Sequence, residues 1–188
     1  MKMVATYDVR LVILSVAIAV IASYIALHLA EWGTKTQGRA RSYCLGGGAI
    51  AMGFGIWSMH FIGMLAYQMP IPMTYNPFIV LLSMVVGIIA SGTALFIVSR
   101  ESMGMFQLLA GSVAMGMAIA LMHYTGMAAM QLKAIAQYDP KLVALSVAIA
   151  IFASFIALSL AFNLHTQTML TGICGKLASA IVMGTTIA

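Results

Sequence analysis

Residues 7–30 read YDVRLVILSVAIAVIASYIALHLA, and residues 138–161 read YDPKLVALSVAIAIFASFIALSLA. The two stretches align without a gap at an offset of 131 (138 − 7). A fainter copy opens at Tyr75 as YNPFIVLLSMVVGIIASGTALF. In this register Ser15, Ser83 and Ser146 coincide, as do Ala22–Ser23, Ala90–Ser91 and Ala153–Ser154. Each copy supplies the roughly 20 apolar residues that a helix needs to cross a hydrocarbon core of about 30 Å. Lys2 and Arg10 ahead of the first copy suggest a signal peptide, but a close copy deep in the chain argues for a retained helix.

Between these copies lie two further apolar runs, 46–66 and 108–130. They repeat each other: GAIAMGFGIWSMHFIGM (48–64) aligns with GSVAMGMAIALMHYTGM (111–127). A last apolar run begins near Gly172, and its Met183–Gly184 matches Met52–Gly53. Because His60 follows Gly53 by seven residues, a third histidine would fall three positions after Ala188, so the sequence reads as a fragment that stops before its third motif. The expected fold is an all-α integral membrane protein. It is a single domain (1–188) with a bundle of about six transmembrane helices, built from three two-helix parallel repeats: 7–67, 75–132 and an incomplete 138–188. Parallel repeats are related by an axis along the membrane normal, so equivalent residues lie at equal depth. Recurrent Gly, Ala and Ser let the helix backbones approach closely.

Composition agrees. The chain is 63% hydrophobic and 7% charged, too few charges for the surface of a soluble domain. A net charge of +5, spread thinly, excludes nucleic acid as a partner and leaves the lipid bilayer. Lys35, Arg39 and Arg41 in an expected loop at 32–42, with Arg100 and Lys176, fall at one end of the helices; Lys2, Arg10, Lys133 and Lys141 fall at the other. The uncharged loop 67–77 is expected outside with the N-terminus, by the bias of Lys and Arg toward the cytoplasm. Cys44 and Cys174 then face a reducing side and read as small packing residues. An unpaired face on the last helix would invite self-association.

The chemistry concentrates in Met-His-x-x-Gly-Met, found as MHFIGM (59–64) and MHYTGM (122–127). On a helix, His60 stacks with Met64 and His123 with Met127, while Met59 and Met122 lie about 100° round. Thioether and imidazole together favour copper, particularly Cu(I), and no carboxylate in these helices serves a hard ion. Tyr124 is a candidate to orient a neighbouring histidine or to hydrogen-bond a bound diatomic gas. Most of the 17 methionines are packing residues. The paired histidines stand apart, because intramembrane ionisable groups are functional candidates by default. His28, matched by Ser159, lies outside the repeated motif and reads as interfacial, and His165 as solvated. Asp8 and Asp139, beside Tyr7 and Tyr138, read as helix caps and interface anchors.

These residues closely resemble the MHYT domain family, whose name matches Met122-His123-Tyr124-Thr125; Met59-His60-Phe61 is like the family's first copy. The resemblance runs from the YD-x-x-LV opening into the last helix. It implies an integral-membrane sensor domain of the bacterial cytoplasmic membrane, N-terminal to cytoplasmic output domains that often make or degrade cyclic di-GMP. It also implies copper held by His60, His123, Met59, Met64, Met122 and Met127 near the outer face, sensing O2, CO or NO. The resulting expectation is a non-enzymatic sensor. Its rivals are a bis-His haem electron-transfer protein, with haem between His60 and His123, and a copper-permeation protein, with Met52 and Met115 as deeper rungs.

Overall fold

The computed structural model describes residues 6–68, 74–98, 104–131 and 139–166, together with Leu177, Ala180, Ile181, Gly184 and Thr185. Five helices, α1 (Val9–Lys35), α2 (Arg39–Ala66), α3 (Pro77–Val98), α4 (Met105–Ala128) and α5 (Pro140–Thr166), account for most of these residues. All five are long and apolar enough to cross a membrane. The isolated residues from 177 to 185 that are described are helical, in keeping with a sixth. Cys174, Lys176, Arg100, Lys133 and Tyr138 lie outside the described residues.

The helix starts are set by short polar side chains. The Asp8 carboxylate accepts from the Arg10 amide at 2.9 Å, Asn76 from the Phe78 amide at 3.0 Å, and Asp139 from the Lys141 amide at 2.9 Å. Each satisfies an amide that the first turn leaves without a helical partner. In two of the three, proline follows the cap, where its missing N–H costs nothing. The caps expected at Asp8 and Asp139 are therefore present, and Asn76 makes a third.

The charged stretch 32–42, expected as a loop, is nearly all helix. α1 continues to Lys35 and α2 starts at Arg39. Charges do not end a helix once it leaves the hydrocarbon, and Glu31 and Lys35, one turn apart, pair at 2.6 Å. The link is reduced to Thr36–Gly38. Gly38 turns it with φ +62° and ψ −135°, a conformation open essentially to glycine alone.

At the opposite end, two-residue strands tie each odd helix to the even helix that follows. β1 (Thr6–Tyr7) pairs antiparallel with β2 (Tyr67–Gln68), and β3 (Thr74–Tyr75) with β4 (Met130–Gln131). The Asp8 amide donates to the Ala66 carbonyl at 2.9 Å, and the Asn76 amide to the Ala129 carbonyl at 2.8 Å. The two expected repeats are thus closed by the same bonds at the same positions.

The repeats also pack on one another in a fixed sense. A Cβ on Gly53 of α2 would collide with the backbone of Ile88 in α3. On Gly116 of α4 it would stand 2.5 Å from Ile151 Cα in α5, and on Gly184 2.7 Å from Val20 Cα in α1. Gly53, Gly116 and Gly184 are equivalent in the repeat, and so are Ile88, Ile151 and Val20. Each repeat therefore lays the same glycine on the next repeat's odd helix, and the third contact returns to the first helix. Among the described residues the contacts thus run from α2 to α3, from α4 to α5 and from Gly184 back to α1, in the sense of a closed ring.

A second set of contacts reinforces it. Leu95 of α3 covers Gly48, with Cδ1 3.0 Å from where a Cβ would stand, and the equivalent Leu158 of α5 covers Gly111 at 3.5 Å. Close approach of small residues is how helices associate where lipid removes the hydrophobic drive. Ser23, Ser91, Ser112 and Ser154 are buried in this packing, while large apolar side chains such as Phe78, Phe106, Phe152 and Ile149 face outward, as suits a lipid-facing surface.

Candidate functional site

His60 lies six residues before the end of α2, and His123 five before the end of α4. At about 1.5 Å per residue, both sit about 8–9 Å below the end tied by the strands. Their equal depth follows from the repeat, and the packing brings them together. Nδ1 of His123 is 3.3 Å from Nδ1 of His60, and the ring centroids are 4.6 Å apart with planes at 59°. Which imidazole donates and which accepts depends on their tautomers. Nε2 of His60 is buried and has no hydrogen-bond partner among the described residues. It faces α4: a Cβ on Gly126 would stand 2.9 Å from it and 3.2 Å from Cδ2 of the same ring.

The rings around the pair are aromatic. Phe61 stands edge-on to His60 at 5.5 Å, and Tyr124 edge-on to His123 at 5.2 Å. Tyr75, at the start of α3, stands edge-on to Phe61 at 6.1 Å. Its hydroxyl is buried without a partner, and that burial pushes the Tyr75 phenol above its ordinary range.

The methionines of the motif divide. Met122 is buried in a cluster with Met52, Ile56 and Ala26, against which Met59 packs. Met122 also lies against Gly87 of α3, its Cγ 3.6 Å from where a Cβ would stand. Met64 and Met127, one turn outward from the histidines on the same helices, are half-buried. The deeper rungs do not line up as a pair. Met52 belongs to the cluster just described and accepts a hydrogen bond from the Ser23 hydroxyl at 3.9 Å, whereas Met115 packs with Ala94 and Leu158.

Tyr124 takes a role visible only in three dimensions. Its hydroxyl bonds Ser146 of α5 at 2.6 Å. Because Ser146 gives its own hydrogen to the Val143 carbonyl at 2.8 Å, Tyr124 is the donor. Ser83, the equivalent of Ser146, gives its hydrogen to the Val80 carbonyl and receives the Trp57 indole N–H at 3.2 Å. Where the first motif has Phe61, which cannot donate, a tryptophan one turn inward supplies the bond. The recurrence of Ser15, Ser83 and Ser146 was the signal in the sequence; their aromatic partners, drawn from different positions, were not legible there.

His28 stands apart from the site. Its ring lies between Tyr24 at 6.2 Å and Trp32 at 5.6 Å on α1. Its Nδ1 is buried without a partner. Cys44 is a half-buried free thiol beside Gly33.

Comparison with known proteins accounts for this arrangement. The family model MHYT, described as a bacterial signalling protein N-terminal repeat, matches residues 1–45, 53–111 and 116–173. The chain belongs to the MHYT family. Two of its matched units start at Gly53 and Gly116, inside even helices, whereas the repeats read here start at odd helices. On a ring both phases describe the same contacts. Among relatives, the bifunctional diguanylate cyclase/cyclic di-GMP phosphodiesterase MucR of Pseudomonas aeruginosa is 42% identical over 186 residues, 98% of this chain and 27% of its own. Signaling protein YkoW of Bacillus subtilis is 40% identical over 188 residues, 98% of this chain and 23% of its own. The cyclic di-GMP phosphodiesterase NbdA of Pseudomonas aeruginosa is 40% identical over 154 residues, 82% of this chain and 20% of its own. The chain thus spans about a quarter of the length of the curated relatives it matches. No solved structure matches it.

Proposed function

We propose that this MHYT chain is the sensing module of a longer bacterial signalling protein and that its signal enters through copper held between α2 and α4. His60 and His123 would supply two nitrogens. Thioethers from Met64, Met127, Met59 and Met122 are the soft donors available to complete the set. Among the described residues no group of three or more His, Cys, Asp or Glu gathers at one point, so thioethers of the motif would have to complete a donor set begun by the two imidazoles.

The observation that carries the reading is the spacing of the pair. Two nitrogens bound about 2.0–2.1 Å from one tetrahedral ion stand about 3.3–3.4 Å apart. The Nδ1–Nδ1 separation is 3.3 Å. The same spacing favours a compact ion over haem. Imidazole rings whose centroids lie 4.6 Å apart leave no room for a porphyrin between them. The separated clusters of Met52 and Met115 likewise favour a single site over a ladder of rungs.

Copper, when bound, would supply affinity for a diatomic gas such as O2, CO or NO, or a change of oxidation state. The chain's own contribution is geometric. Each helix carries one nitrogen, so a change in the spacing the ion requires is a change in the spacing of α2 and α4. A ligand biases such a change only by binding the two arrangements with different affinity. The expected receiver is a cytoplasmic output domain, of the cyclic di-GMP turnover class in view of two relatives' names. The site end of the bundle would face outward and the membrane would be the bacterial inner membrane.

Metal analysis of purified protein beside His60→Ala and His123→Ala tests the proposal. Copper should co-purify with or load into the parent chain and fall in both variants. Unchanged copper content in both, or a Soret band in the parent, would overturn it.

A further inference from the structure

The two motifs match at Met, His, Gly and Met, yet their glycines face different surroundings. A methyl on Gly126 would meet Nε2 of His60 at 2.9 Å, Cδ2 at 3.2 Å and Cε2 of Phe61 at 3.5 Å. A methyl on Gly63, the same position of the first motif, meets nothing within 4 Å among the described residues. Neither glycine has the positive φ that would require glycine for the backbone itself; Gly38 alone does among those described. Helix propensity argues against glycine at both positions.

From the contact at position 126 we infer that Gly126 is a positioning residue: its missing side chain is the seat for the His60 imidazole and sets the distance between the two histidines. His60 reaches across from α2 and its ring lies flush on α4, where only a hydrogen fits. The imidazole of one motif is therefore located by the glycine of the next, in the same sense in which Gly53 and Gly116 seat on the helices that follow them. His60 Nε2 finds no polar partner on this seat, so shape holds the ring in place. Its other nitrogen is thereby left at 3.3 Å from His123.

A methyl at position 126 falls about half an ångström inside ordinary contact with the ring. The atom it meets is the far end of a side chain, not backbone, so the ring moves and the helices need not. The imidazole pair, rather than the fold, takes the displacement. Shifts of this size matter at a site whose groups must be held within about 0.5 Å. The consequence for copper rests on the function proposed above; the seat itself does not.

The test compares Gly126→Ala with Gly63→Ala in the full 188-residue chain, with copper absent and then present. Without metal, imidazole 15N resonances should move for His60 in Gly126→Ala and stay in place in Gly63→Ala. With Cu(I) added anaerobically in competition with a chromophoric chelator, affinity should fall about 10–100-fold in Gly126→Ala, as when a supporting partner of a metal ligand is lost. It should be unchanged in Gly63→Ala. If Gly126→Ala lowers the unfolding midpoint, adding His60→Ala should remove that effect, because the methyl then has no ring to meet. Selective movement of the His60 resonances in a chain that binds no Cu(I) would refute the copper reading and leave the seat standing. Equal behaviour of the two alanine variants, or no rescue by His60→Ala, would overturn the seat.

Discussion

Gly116→Ala tests the ring itself. A Cβ there would stand 2.5 Å from Ile151 Cα, 2.6 Å from its amide nitrogen and 2.7 Å from its Cγ1. Ordinary contact begins near 3.4 Å, so the shortfall is 3.4 − 2.5 = 0.9 Å, and two of the three atoms are backbone. α4 and α5 must part by a comparable distance. A radial gap of about 0.5–1 Å already forfeits about a quarter to a half of each dispersion contact along a packed surface. Overpacking of this kind costs about 1–3 kcal/mol, against a gain of about 1 kcal/mol in helix propensity. The net expectation is destabilisation of up to about 2 kcal/mol. Gly63→Ala meets nothing within 4 Å and should instead stabilise, by up to about 1 kcal/mol. Unfolding in mixed micelles with increasing SDS, followed by far-UV circular dichroism, reads both. Gly53→Ala, equivalent by the repeat, should match Gly116→Ala in sign and approximate size. A Gly116→Ala chain as stable as Gly63→Ala would refute the close approach, and opposite signs at positions 53 and 116 would refute the repeated contact.

Other expectations follow from particular bonds. Tyr124→Phe removes the hydrogen bond to Ser146, and Ser146→Ala removes it together with the bond from Ser146 to the Val143 carbonyl; a double-mutant cycle should return a coupling of about 1 kcal/mol between the two hydroxyls, and full additivity would show that they do not interact. Asp139→Ala removes the α5 cap and should cost about 1 kcal/mol, with Asp139→Asn retaining most of it; equal losses would point to charge rather than to capping. Gly38→Ala forces a side chain into a backbone region reserved for glycine and should destabilise by about 1–3 kcal/mol; an unchanged SDS midpoint would contradict the α1–α2 turn. Copper loading should weaken as pH falls, because protons compete for both imidazole nitrogens, and equal loading across about pH 5–8 would argue against nitrogen ligation.

The fold was legible because its determinants are periodic. The repeated odd-helix copies and the glycines at 53, 116 and 184 share one register, and in the structure those glycines meet the equivalent residues Ile88, Ile151 and Val20 of the odd copies. Helix ends were less so. The run 32–42 looks like a loop by charge, yet charge marks the edge of the hydrocarbon and not the end of the hydrogen-bond ladder, which continues to Lys35. At the site, spacing gave the shared depth of His60 and His123. It could not give their separation, which depends on a contact between different repeats. Nor could it show Trp57 and Tyr124 reaching equivalent serines from non-equivalent positions, since each side chain was considered on its own helix.

The site also shows why a repeat should not be treated as a set of identical parts. In a ring with a fixed sense, every residue of a motif has two neighbours, its own repeat and the next. His60 and His123 are chemically alike, but His60 rests on a glycine while His123 stands beside Tyr124, whose hydroxyl is committed to α5. Among the described residues His60 Nε2 has no hydrogen-bond partner, so apart from the contact of its other nitrogen with His123 that ring is located by packing. The two nitrogens that face each other are thus supported by different means. The His123 side is tied through Tyr124 to the outer helix α5; the His60 side is held by packing that a half-ångström intrusion would displace. A disturbance at the pair should therefore register first as movement of His60 and α2 rather than of His123 and α4.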